Sequence, residues 1–145
     1  MPEDIIPPVI TPAGDGKVWN VVGDKITCKA TGEQTGNAYA VIEEASPPNG
    51  GPPLHVHQRT DEIFYVLVGE YEVTCGARTI KAGEGTMFVV PKKVPHALRN
   101  VRTTTSRVLV ILIPAGFEKF FEEVDGVADR DQLIQIARRH DVQFL

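Results

Sequence analysis

What this chain has little of narrows its function at once. Among 145 residues there are two cysteines, Cys28 and Cys75, which lie far apart and form no CxxC or CxxH pattern. The pattern of a cysteine-rich zinc module is therefore absent. The sequence leaves a disulfide between the two open, but in a reducing cytoplasm both read as small buried or half-buried residues. A positive excess is missing too: 15 Lys and Arg against 19 Asp and Glu give a net charge of −4. There is thus no electrostatic footprint for nucleic acid or for an anionic membrane surface. No uninterrupted apolar run approaches the ~20 residues needed to span a bilayer. The opening Met1-Pro2-Glu3-Asp4 is acidic where a secretory signal is basic, and no hydrophobic signal core follows, so the expected location is cytoplasmic.

What is present is the make-up of one ordinary globular domain, with 42% apolar and 23% charged residues. Short runs rich in Val, Ile, Thr and aromatics alternate with Gly and Pro. They predict strands at 17–22, 25–31, 37–44, 55–57, 63–75, 78–80, 86–90, 96–100 and 107–114. The Pro- and Gly-rich stretch 46–53 predicts a loop, and turns are expected at 75–77 and 81–85. Many short strands separated by such turns predict an all-β sandwich or barrel, here over 16–115. Residues 1–15 read as a Pro-rich, loose N-terminal arm. The period changes near the C-terminus: Phe117, Phe120, Phe121 and Val124, then Leu133, Ile136, Ala137 and His140, recur at helical spacing. Asp129 and Asp131 stand where a cap or a dipole-matching residue belongs. Segment 116–145 is thus read as short helices whose apolar stripes pack on the barrel rather than serve a cofactor.

Three of the four histidines fall into two spaced clusters. His55 and His57 are one residue apart, so on a strand both imidazoles point to the same side. Glu62 follows a polar bend and heads a strongly apolar strand, where a carboxylate is costly unless it has a partner. His96 stands behind Pro91-Lys92-Lys93-Val94-Pro95 at the start of another predicted strand. Three neutral imidazoles and one carboxylate make a mixed nitrogen and oxygen set suited to a first-row transition metal, whereas calcium or magnesium calls for mostly oxygen. His140 has no such context and is read as a structural or surface residue.

These residues carry a resemblance to the cupin superfamily. Its first motif is matched by His55-Val56-His57, Glu62 and Gly69, and its second by Gly85, Pro91, His96 and Asn100. Two positions depart: Asn49 occupies the slot of the leading glycine, with Gly50 and Gly51 behind it, and Lys93 stands where the second motif has glycine. Lys93 carries the expectation that the backbone there does not need a positive φ. The resemblance implies a double-stranded β-helix, or jelly roll. It also implies one divalent transition metal (Mn, Fe, Co, Ni, Cu or Zn) held in the barrel mouth by His55, His57, Glu62 and His96.

The wording of the motifs is similar to small single-domain cupins related to quercetin dioxygenases. That resemblance implies a metal-dependent dioxygenase acting on a small enol, flavonol or aromatic substrate, with Glu62 doubling as general base. Apolar walls are expected from Phe64, Val66, Met87, Val89 and Leu98. Two other readings stand beside it: a non-catalytic module that binds or senses a small molecule, and a metal-dependent isomerase or epimerase using Tyr39, Tyr65 or Tyr71. Strands 63–68 and 108–113 are apolar on both faces, which predicts a covering partner and a homodimer.

Overall fold

The alternating strands leave one apolar face each. In the computed structural model, which describes residues 4–145, these faces close on one another as two sheets. The larger sheet runs in the order β1 (Lys17–Val21), β2 (Asp24–Ala30), β3 (Ala40–Ser46), β10 (Ser106–Ile113), β5 (Asp61–Val68) and β8 (Met87–Val90). The smaller runs β11 (Val142–Phe144), β4 (His55–His57), β9 (His96–Asn100), β6 (Glu70–Cys75) and β7 (Arg78–Gly83). The pairings within both sheets are antiparallel. This is an all-β barrel, as the strand pattern predicts, and the double-stranded β-helix that the resemblance implies. Ile26, Ile42, Phe64, Val66, Val108, Val110 and Leu112 fill the core from the larger sheet, and Tyr71, Val73 and Leu98 from the smaller. Each large side chain of this kind stabilises the fold by roughly 1.5–3 kcal/mol.

Three differences from the expected elements matter for the site. The single strand expected over 63–75 is two strands, β5 and β6, in opposite sheets. Between them Gly69 takes φ +81°, and a Cβ there would lie 2.0 Å from Ser106 Oγ, so only glycine can turn this corner. β3 starts later than expected because Asn37, with φ +64°, completes the turn begun by Gly36. The third difference is at the end of the chain. After α1 (Glu118–Val124) and α2 (Arg130–Arg139), the last residues form β11 instead of continuing as helix. Asp141, at φ +57°, makes the turn without a glycine to announce it.

Asp129 is the N-cap that the sequence suggested, its side chain accepting a hydrogen bond from Gln132 N at 2.8 Å. Both cysteines are free, Cys28 buried and Cys75 half-buried. The arm, whose first three residues lie outside the described part, is exposed yet tied down. Thr11 donates to Lys29 O, and Lys29 Nζ reaches back to Pro12 O and Asp15 O. No helix among the described residues is long and apolar enough to cross a membrane.

Candidate metal centre

β4 is only three residues long, and its position is set from both sides. The loop 46–53 runs along β9 through backbone bonds from Leu98 N to Pro52 O and from Asn100 N to Gly50 O. Gly51 is needed there, because a Cβ would lie 2.2 Å from Leu98 O. On the other edge β11 pairs Val142 with His57 and Phe144 with His55. Strand parity then sends both imidazoles inward, and both are buried.

His96 opens β9 directly opposite His55, with ring centroids 4.2 Å apart. Glu62 belongs to the other sheet, paired with Leu112 and Val90, and reaches across the barrel mouth. Its Oε1 lies 2.8 Å from His57 Nε2 and 3.0 Å from His96 Nε2. Taking one nitrogen or oxygen from each of His55, His57, Glu62 and His96, all four atoms lie within 4.8 Å of one another. The structure thus brings together all four residues singled out in the sequence.

The surroundings orient these groups. His55 Nδ1 faces Pro53 O at 2.7 Å, and His96 Nδ1 faces Val94 O at 3.0 Å. Each carbonyl fixes the proton on Nδ1 and leaves Nε2 as a free lone pair, the arrangement typical of metal-binding imidazoles. His57 Nδ1 is buried with no partner among the described residues. Its ring is held instead by Phe117, edge to face at a centroid distance of 4.3 Å. Burial, with the His96 charge beside it, lowers the His55 pKa to about 4, so this imidazole is neutral near pH 7. Burial on its own would raise Glu62. The charges and hydrogen bonds of His57 and His96 outweigh it and hold the carboxyl well below the usual range.

This donor set fits a metal cation. Nε2 of His57 and Nε2 of His96 converge on one oxygen of Glu62, so ring nitrogens and carboxylate meet in one small buried volume where a cation would take the place of the protons they otherwise share. An ion would use the same lone pairs on His55, His57 and His96 together with Glu62, and the mixed donors suit a first-row transition metal.

One cavity of about 360 Å³ adjoins the cluster and is lined by His55, His57 and Glu62. Phe64, Phe117, Phe120, Phe121, Leu133 and Phe144 supply much of its apolar wall.

Residues 43–112 match the family model described as "Cupin domain". This segment, just under half of the chain, is thus similar to a cupin domain.

The fold comparisons agree with it. The chain is 28% identical over 74 residues to an uncharacterized protein of Methanocaldococcus jannaschii, covering 50% of this chain and 59% of that protein. It is 37% identical over 103 residues to a germin-like protein (subfamily 2 member 4) of Arabidopsis thaliana, covering 61% of this chain and 45% of the relative. The matches therefore span less than two thirds of these relatives. Among solved structures, the fold is similar to KdgF from Halomonas sp., with TM-score 0.67 at 19% identity over 75% of this chain and 97% of that one. It is also similar to the polyketide cyclase RemF of Streptomyces resistomycificus, with TM-score 0.63 at 22% identity over 72% and 78% of the two chains.

Several residues depart from the sequence-based expectation. Lys93 does adopt a left-handed backbone, with φ +69°, so the expectation of a negative φ is overturned. Its N–H donates to His57 O at 2.6 Å, which locks the turn against the histidine strand. The lysine accepts a conformation that costs a non-glycine residue roughly 1–2 kcal/mol. Of the expected wall residues Phe64 does line the cavity, whereas Val66 and Leu98 are buried in the core away from its wall. Met87 and Val89 instead point outward, 57% and 49% exposed, because they pair with outward-facing Tyr65 and Ile63. The C-terminal segment supplies nine of the 23 residues of the cavity wall, so the aromatic stripe of α1 both packs on the barrel and lines the site.

Two further cavity residues, Asp24 and Glu44, went unnoticed. The available signal was parity, since Glu44 continues the inward series Ala40 and Ile42. Asn100, the last residue of the second motif, bonds from Nδ2 to Ser46 O and Thr104 O and accepts from Ser106 Oγ, a structural duty. Tyr39 and Tyr65 are exposed, and Tyr71 Oη is engaged with Ser46 and Ser106. His140 bonds to Glu123 at the surface.

Proposed function

We propose that the four residues hold one divalent transition metal and that the protein is a metal-dependent oxygenase of the quercetinase-like kind, acting on a small enol, flavonol or aromatic substrate with dioxygen. The observation that carries this reading is the convergence of the His55, His57, Glu62 and His96 donors, three of which (His55, His57 and Glu62) lie on the wall of an aromatic-lined cavity. The ion supplies Lewis-acid chemistry that favours the deprotonated form of an enol hydroxyl. Glu62 takes that proton, being ionised and directed to the same point as the imidazoles. Phe64, Phe117 and Phe121 pack against the flat body of the substrate and keep water from it. His55 and His96 stay in place through their carbonyl partners, and His57 through Phe117. The isomerase reading loses support, since none of Tyr39, Tyr65 and Tyr71 lines the cavity.

Elemental analysis of protein purified without chelator or affinity metal should return one transition metal per chain, and a metal-free result after loading attempts overturns the site. Oxygen-electrode traces with flavonols and other enols should show uptake that needs the metal. Tight binding with the ligand recovered unchanged points instead to the sensing module.

We also propose that the chain works in the cytoplasm as a homodimer. The outer face of the larger sheet carries two apolar rows in register, Met87–Tyr65–Leu109 and Val89–Ile63–Ile111–Val41. Tyr65, Met87 and Val89 remain exposed there, as a surface awaiting a partner does. Light scattering should give twice the chain mass, reduced to a monomer by Met87→Asp with Val89→Asp; a wild-type monomer overturns it.

A further inference from the structure

The same cavity has a second polar region that the metal reading leaves unused. Asp24 opens β2 and Glu44 lies on the neighbouring strand β3. Both side chains line the cavity, only 4% and 9% exposed. Ser46 Oγ donates to Asp24 Oδ2 at 2.8 Å, and Tyr71 Oη lies 3.2 Å behind that hydroxyl. The Gly51 backbone and Glu44 are further partners of Asp24, but its other oxygen, Oδ1, is buried with no well-aligned hydrogen bond among the described residues. Glu44 adjoins Asp24 within hydrogen-bonding reach, and its burial and the Asp24 charge push its pKa well up, so the two carboxyls share a proton. The shared proton, Ser46 and the Gly51 backbone still leave the four oxygens of the pair with unused acceptor capacity, in a wall that is otherwise mostly apolar. Buried acceptors without donors are costly, and the free space beside them is the cavity itself.

We propose that Asp24 and Glu44 form a recognition subsite that accepts a hydrogen bond from a donor group, hydroxyl or ammonium, on a ligand whose apolar body fills the cavity. That this ligand is the substrate rests on the metal-site reading. The subsite is a specificity-determining feature: a site built to receive a donor discriminates strongly against an analogue without one, because its acceptors are then left unpaired.

The test uses metal-free, full-length protein and three probes of one shape: 4-ethylphenol, 4-ethylbenzylamine and 4-ethyltoluene. Affinities are measured by calorimetry, with the fluorescence of Trp19, which stacks on the cavity residue Phe121, as a second readout. The phenol, the amine or both should bind at least about tenfold tighter than the toluene, and which one does so tells hydroxyl from ammonium. In Glu44→Leu this preference should fall to about threefold or less, while the near-isosteric Glu44→Gln, which keeps an acceptor, should retain part of it. Equal affinities in the wild type, no binding of any probe, or a preference untouched in both variants overturns the subsite. Cobalt(II) uptake followed by absorption tests the metal reading separately, so the two can fail independently.

Discussion

The two polar clusters of this cavity bury carboxylates by opposite means. At the barrel mouth Glu62 stays ionised because imidazoles surround it, which makes a site suited to a cation. On the opposing strands, Glu44 and Asp24 have no cationic neighbour, and burial pushes both upward, so the pair keeps a proton. The difference teaches that a buried acid is legible only through its partners. Two glutamates on inward-facing strand positions are pushed in opposite directions a short way apart in one fold.

The sharpest way to break the contrast is to remove a donor from the first cluster only. Replacing an outer partner of a metal ligand already costs about 10–100-fold in affinity, so His96→Ala should lose at least about 100-fold in metal binding. Glu44→Gln, which alters only the protonated pair, should stay within about threefold of wild type, a ratio that equilibrium dialysis against a competing chelator measures directly. A second test exploits linkage. Metal at 100 times its dissociation constant should stabilise the wild type against urea by about 2.7 kcal/mol, and the same concentration should stabilise His96→Ala by no more than about 0.4 kcal/mol.

The proton held by the other cluster predicts a pH dependence of definite sign. Burial raises the folded pKa of Glu44 above its ordinary value of 4.5. Its contribution is complete below that value and declines as pH rises towards the folded pKa. Stability of metal-free wild type relative to Glu44→Gln should therefore fall above pH 4.5, by at most about 1.4 kcal/mol per unit. A flat difference across that range means that the pair does not hold a proton. The smallest effect concerns the turn bonded to His57. Lys93→Gly relieves roughly 1–2 kcal/mol of backbone strain but adds about 0.5–1 kcal/mol of unfolded-state entropy. The net should lie between about zero and about 1.5 kcal/mol of gain, visible as at most a small rise in Tm.

Much of the fold and all four members of the metal cluster were legible in the sequence. His55 and His57 announce themselves by strand parity, and Glu62 by its isolation at the head of an apolar strand. What escaped depended on pairing between distant segments. Met87 and Val89 look like wall residues in isolation, and only their register against Tyr65 and Ile63 turns them outward. β11 was missed because Asp141 makes its turn without glycine or proline, and because three residues become a strand only when β4 offers them an edge. Lys93 misled for a related reason. The composition says a side chain is present, while the bond to His57 O imposes the glycine-like conformation on it.

By itself, then, the sequence determined the elements whose causes are local: alternation that makes strands, Gly and Pro that end them, and residue types able to bind a metal. Tertiary structure decided which strand face became the cavity, that the C-terminal aromatics would wall it, and that Asp24 and Glu44 would meet inside. Those outcomes rest on long-range register, where a shift of one residue moves every side chain to the opposite face.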